Sequence, residues 1–314
     1  MSAQLEIAKD EKAVGHGNKF LKIPFLVKAR PYFIMAPALL LTVGILYPFV
    51  TAIYYSLTNY SFRRPTYKFI GLGNWIEAVT TPDFWHAILV TGEYALVTTG
   101  AEMLLGLGIA LLLSRDSKYT RILKVILMFP LMIAPVIATL IWQLMTNTSV
   151  GILEKFLNLF GLYNFPWAAS AKTALLTAAI IDFWVFAPFV IILILAGIHS
   201  FPKSPFEAAK VDGGSAWFTF KTLTLPMLAP FMYIALIFRL MASLQEFAII
   251  FALTKGGPGD TLMNLSVSAY NKGFAFLELG KSLPYVLVLW LIIMLISNKL
   301  VKNWLKVQKT AAGV

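Results

Sequence analysis

The chain has 314 residues, 59% of them hydrophobic and only 13% charged, with a formal net charge of +11 at pH 7. A soluble domain carries roughly a quarter charged residues, so this composition excludes one and points to a membrane-embedded protein. Cysteine is absent, which excludes disulfides and thiolate metal sites, and His16, His86 and His199 lack the spacing of a metal site.

Apolar runs of about 20 residues or more are candidates for membrane-spanning helices. Six are expected, near 31–58, 86–113, 122–146, 172–198, 224–253 and 282–303. The expected fold is all-α and polytopic. It comprises an N-terminal tail over 1–30, a transmembrane domain over 31–305 with a polar loop at 199–223, and a C-terminal tail over 306–314. The first run is too long for a cleavable signal peptide, and no small-residue cleavage site follows it. Positive charge predicts the orientation. The N-tail (Lys9, Lys12, Lys19, Lys22, Lys28, Arg30), the connection after the second span (Arg115, Lys118, Arg121, Lys124), the 199–223 loop (Lys203, Lys210, Lys221) and the end of the chain (Lys299, Lys302, Lys306, Lys309) hold 17 of the 26 basic residues. Both termini and that loop are therefore expected in the cytoplasm. The positive charge is read as a topology signal, with no nucleic-acid partner.

Polar groups inside the spans come next in chain order. Glu93 and Glu102 on the second span read as structural. Thr139, Gln143 and Asn147 form a polar stripe on the third. On the fourth, Asp182, Phe186 and Phe189 share one helical face, and on the fifth Arg239, Ser243 and Glu246 repeat the same i, i+4, i+7 spacing. Intramembrane charges are rare and face a cavity or a partner. Asp182 and Arg239 lie near mid-span, where they can pair with each other or face a substrate. Hydroxyl-matching polar groups beside aromatic rings suit a sugar, so these six residues form a candidate substrate path. An arginine there can also grip a carboxylate, which favours an acidic, uronate-type saccharide.

No arrangement of Ser, His and Asp suggests catalysis. Gly280-Lys281-Ser282 is not a phosphate loop, because Ala275 stands where the first glycine belongs and no strand precedes it. The chain is read as a membrane protein that is not an enzyme and binds no cofactor itself; if it carries out ATP-driven transport, the ATP and Mg belong to another subunit, a partner ATPase.

The 199–223 loop is the most structured polar segment. Ser204, Pro205 and Glu207 read as a capping box that opens a short helix through Ala208, Ala209 and Lys210. Gly213 and Gly214 read as its C-terminus. A second short helix is expected over 215–222, anchored by Trp217, Phe218 and Phe220, before Pro226 opens the next span. A pair of helices with a glycine hinge is a docking surface.

Here the sequence resembles a known family. Glu207-Ala208-Ala209, then Gly213, Leu223 and Leu225-Pro226, is similar to the EAA loop of binding-protein-dependent ABC importer permeases. Leu253-Thr254-Lys255-Gly256-Gly257-Pro258 resembles a loop of the maltose-transporter larger-permease branch, and Phe69-Ile70-Gly71-Leu72-Gly73-Asn74-Trp75 resembles its first external loop. The branch often has Phe-Asp before the second loop, where this chain has Phe247-Ala248 with an acid at Glu246.

The resemblance covers roughly residues 31–305. It implies a multi-pass subunit of the bacterial inner membrane that imports an oligosaccharide by alternating access. Its implied partners are a second homologous permease, two copies of an ABC ATPase and a soluble solute-binding protein. Glu207, Ala208, Ala209, Gly213, Leu225 and Pro226 would couple to the ATPase, and Gly256, Gly257 and Pro258 would meet the binding protein or form a gate. Acidic or neutral oligosaccharide and glycerol phosphate stay open as substrates. The rival class is a proton- or sodium-coupled carrier using Glu93, Glu102, Asp182 and Glu246.

Overall fold

The computed structural model describes residues 24–311. The expected N-terminal tail over 1–30 lies mostly outside the described residues, as do the last three residues of the C-terminal tail. What is described of both tails is helical: α1 spans Pro24–Ser56, so it begins inside the expected tail, and the last helix runs on to Ala311. Within α1, Ile34–Ser56 is apolar and long enough to cross a bilayer.

Residues from Tyr55 onward form the second and larger unit. Its first loop carries the 69–75 motif. Thr58 and Phe69 form an isolated antiparallel bridge. Buried Asn74 donates to the carbonyls of Ser56 (2.8 Å) and Thr58 (2.7 Å), and the Trp75 indole donates to the Ser56 hydroxyl. The motif therefore pins the loop at its own base. After it come α2 (Gly73–Thr80) and the long α3 (Pro82–Leu113).

The third expected span is a correction. Instead of one helix over 122–146, the chain forms α4 (Lys118–Met128), a short 3₁₀ turn at Pro130–Met132 and α5 (Pro135–Met145), with the two arms bent by 104°. Pro130 and Pro135 each lack an N–H, and the backbone leaves the helical region at Ile133 and Ala134 (ψ 134° at each), directly before Pro135, so the helix cannot continue. α4 itself starts at a box in which Ser117 and Thr120 cap each other.

A short helix α6 (Ile152–Asn158) leads to α7 (Ala171–His199), then to α8 (Ser204–Val211). Next come α9 (Ala216–Thr219) and a π turn at Phe220–Thr224 that joins it without a break to α10 (Leu225–Leu244). This corrects two expectations. Pro226 does not open a fresh helix, and the fifth span ends at Leu244 rather than 253. The π turn bonds the Leu225 N–H to the Phe220 carbonyl, five residues back. That wider spacing accommodates Pro226, whose ring would otherwise clash with the preceding turn. The short α11 (Ala248–Thr254) and α12 (Leu265–Tyr270) follow, then α13 (Leu279–Ala311). Among the described residues five helices are thus long and apolar enough to cross a membrane, or six with the bent pair. Among the described residues no strand forms beyond the single bridge.

α3 and α7 are the central pair, joined by α10. Small residues permit their contact: a Cβ on Gly106 of α3 would sit 3.0 Å from Val190 of α7. In lipid, helices associate by such close van der Waals packing, since apolar burial alone gives no preference over lipid tails. One apolar cluster joins α3 and α7 to α5 and α11, around Tyr94, Ile181 and Ile250. A second, around Ile194 and Leu228, joins α3 and α7 to α10. The polar site lies where these same three helices meet.

Candidate functional site

Three neighbouring helices each put one charged side chain into their shared interior. The Arg239 Nε donates to Glu102 Oε2 at 2.6 Å, and its Nη2 donates to Asp182 Oδ1 at 2.8 Å. All three are buried, with Glu102 and Asp182 at 0% exposure and Arg239 at 4%. The Tyr94 hydroxyl donates to Asp182 Oδ2 at 2.9 Å. Arg239 also reaches the Ser243 hydroxyl at 3.4 Å, which accepts from Thr98 at 3.2 Å. The Phe186 ring lies beneath the guanidinium, 4.1 Å from its central carbon. Glu102 Oε1 is buried with no hydrogen-bond partner.

This geometry sorts the expected substrate-path residues. Asp182, Phe186, Arg239 and Ser243 come together, and Asp182 and Arg239 pair. Phe189 packs instead against Phe238, with ring centroids 6.0 Å apart. Glu246 leaves the expected face because α10 ends two residues earlier. Its Oε1 accepts from the Ile249 N–H at 2.7 Å and so caps the start of α11. Glu102 and Tyr94 complete the cluster. Glu102 read as structural in the sequence, and its sign was a lone acid amid apolar neighbours. Tyr94 carried no signal that separates it from a core aromatic. The Arg239 guanidinium faces two carboxylates inside the bundle rather than an open cavity, which removes the reason to expect an acidic saccharide from this residue.

Gln143, on the polar stripe of α5, donates to the carbonyls of Ala252 and Leu253 at 3.0 and 2.9 Å. It satisfies groups left open at the end of α11 and ties α5 to it. The loop after α11 turns through left-handed Lys255 (φ 55°) and Gly256 (φ 100°). The Leu262 N–H closes it onto the Gly256 carbonyl at 2.9 Å. A Cβ on Gly256 would lie 2.8 Å from the Met263 methyl, which can swing aside, so it is the positive φ that calls for glycine there. Gly257 and Pro258 are half-buried, and exposed Asp260 accepts from His86 of α3 through its carbonyl at 3.0 Å.

The expected capping box on α8 does not form. Lys203 occupies the N-cap position with helical backbone angles, and no side chain caps the helix. The Lys203 carbonyl already accepts from the Glu207 N–H at 3.0 Å, which places Ser204 inside the first turn. Glu207 is therefore exposed and free of a structural duty within the helix. The C-terminus forms as expected. Gly213 is left-handed (φ 74°), its N–H reaches the Lys210 carbonyl, and the Gly214 N–H reaches the Ala209 carbonyl at 2.8 Å. Those two bonds define a Schellman end. Ser215 then caps α9 through the Phe218 N–H. Trp217 and Phe218 on α9 are exposed, and a cavity of about 620 Å³ lies beside α8 between His199, Phe206, Glu207 and Ser114.

Comparison with known proteins agrees with this architecture. Residues 102–301 match the family described as the binding-protein-dependent transport system inner membrane component. The chain is 35% identical over 268 residues to the probable ABC transporter permease protein y4oQ of Sinorhizobium fredii, covering 85% of this chain and 86% of that one. It is 33% identical over 255 residues to the trehalose/maltose transport system permease protein MalF of Thermococcus litoralis, covering 81% and 86%. Among solved structures, a bacterial ABC transporter involved in the import of the acidic polysaccharide alginate superposes with a TM-score of 0.77 at 19% identity. That match covers 90% of this chain and 98% of the other, and it shows the shared fold.

Proposed function

This chain belongs to the family of binding-protein-dependent transport system inner membrane components, as a permease subunit of the sugar ABC importer kind, and we propose that it translocates a neutral oligosaccharide by alternating access driven by a separate ATPase. The observation that carries the reading is α8. It is a short exposed helix, ended by a left-handed glycine and followed by exposed aromatic residues, on a protein with no nucleotide motif of its own. Such an element is shaped to receive force from a partner. The expected assembly adds a second related permease, two ATPase copies and a soluble solute-binding protein. ATP and Mg would be held by the ATPases. Closure of the ATPase pair on ATP moves α8 and opens the path outward, and hydrolysis resets it.

The pairing of Arg239 supports a neutral substrate, because two carboxylates already compensate the cation. The same pairing weighs against an ion-coupled carrier. Glu102 and Asp182, two of the acids such a carrier would use, are committed to Arg239, and Glu246 caps a helix. Gly256, Gly257 and Pro258 are assigned to the outward loop that meets the binding protein. The decisive experiment reconstitutes the complex and identifies the saccharide retained by its binding protein. Uptake of that sugar should require ATP hydrolysis; uptake sustained by an ion gradient alone overturns the reading. Retention of a uronate oligomer or glycerol phosphate would replace the neutral substrate.

Both termini and α8 are assigned to the cytoplasm. Because the chain has no cysteine, single cysteines report this directly. Arg64→Cys and Asp260→Cys, both at exposed positions, should label from outside intact cells. Asp212→Cys should label only after permeabilisation. Reversal of that pattern inverts the topology. Asn74 is unsuitable as a reporter, since it is buried and holds two hydrogen bonds.

A further inference from the structure

Outside the site already described, a groove of about 290 Å³ runs between α4 and α7. Its walls are apolar: Leu127 and Met128 on α4, and Pro188, Ile191, Ile192 and Leu195 on α7. Lys124 and His199 also line it. Lys124 lies one turn before Leu127 and Met128 on α4, and His199 one turn after Leu195 on α7; on the proposed orientation both face the cytoplasmic mouth, on the side of the basic connection of Arg115, Lys118 and Arg121. Among the described residues neither Lys124 nor His199 has a carboxylate partner.

The dimensions select the occupant. Pro188 and His199 are eleven residues apart on α7, which is about 16 Å at the rise of an α-helix. That matches one leaflet, about half of a hydrocarbon core of roughly 30 Å. Even the whole empty space of about 690 Å³, spread over this length, gives a channel only about 7 Å across. A packed helix needs about 10 Å, so the groove fits a chain rather than a helix. Its charged mouth supplies the complementary half, since basic pockets between spanning helices attract anionic head groups.

We infer that this groove is a binding site for one anionic phospholipid, with an acyl chain along Pro188, Ile191 and Leu195 and the phosphate between Lys124 and His199. On the proposed orientation the lipid belongs to the inner leaflet. His199 also borders the cavity beside α8, so the head group would lie against the coupling element.

The test uses the assembled transporter in mixed micelles of phosphatidylglycerol and phosphatidylcholine, with retained lipid counted by native mass spectrometry after detergent exchange. The wild type should keep about one phosphatidylglycerol per copy of this chain. Lys124→Glu should reduce that retention at least tenfold, and Lys124→Arg should preserve it. Ala196→Trp, which fills the groove without touching its charge, should also abolish it. A photo-crosslinking residue at Ile192, in an otherwise unaltered chain, should join to lipid. Equal retention of both lipids, retention unaffected by Ala196→Trp, or crosslinking of position 192 to a protein subunit would each overturn the site.

Discussion

Glu207→Ala is expected to leave the transporter inserted, assembled and close to its normal stability, yet to lower ATP-dependent uptake by about ten- to a hundredfold. The reasoning rests on what Glu207 does not do. It caps nothing in its own helix, and it is exposed, so its removal should change stability by no more than about 0.5 kcal/mol. A charged hydrogen bond to a partner ATPase contributes about 1.5–3 kcal/mol, and every 1.4 kcal/mol is a factor of ten. Gly213→Val is the complementary change. It forces a β-branched residue into left-handed backbone at a cost of about 1–2 kcal/mol and disturbs the Schellman end that sets the angle between α8 and α9. Both variants should retain membrane insertion, measured by cysteine labelling at Asp260, and lose stimulation of ATPase activity by the loaded binding protein. Normal stimulation in Glu207→Ala would remove that residue from the coupling surface.

Much of the fold was legible in the sequence, and the misses share one cause. Hydrophobicity locates an apolar stretch, but backbone hydrogen bonding decides where a helix within it ends. The run over 122–146 is apolar but for Lys124, Gln143 and two threonines, yet the backbone turns extended at Ile133 and Ala134, before Pro135, and divides it into two arms. The run over 224–253 continues past Leu244, but the helix stops there, and Glu246 becomes a cap for the next one. Conversely, Pro226 resembled a helix start and proved to be inside a helix, because a π turn accommodated it. In the coupling loop, Gly213 was readable because only one backbone conformation rewards glycine there. The Ser204 and Glu207 box was not, since a helix that starts one residue earlier makes it redundant, and no spacing reveals that shift. At the charged cluster, Asp182 and Arg239 each stood out alone. That Glu102 is the third member follows only from how α3 packs against α10.

Arg239→Met should prevent recovery of a stable complex, because it leaves Glu102 and Asp182 facing each other in the bundle interior without a cation. Breaking a buried ion pair by removing one partner costs about 3–5 kcal/mol, a large share of any membrane domain's stability. The two acids should not be equivalent. Asp182 accepts from both Arg239 and Tyr94, so Asp182→Leu strands two donors. Glu102 holds one bond and one oxygen with no partner, and Glu102→Gln keeps an acceptor for the Arg239 Nε. Its cost should stay below the roughly 1.5–3 kcal/mol of losing a hydrogen bond to a charged group outright. Replacing the whole set by Glu102→Leu, Asp182→Asn and Arg239→Met removes every charge together, and such replacements are often neutral or stabilising. That triple variant should recover the complex, read as yield and thermal midpoint in detergent. It should also recover sugar uptake, because the neutral saccharide does not depend on Arg239. A triple variant that assembles but does not transport would return Arg239 to the substrate path, and a single Arg239→Met variant of normal yield and midpoint would show that the cluster does not hold the three helices together.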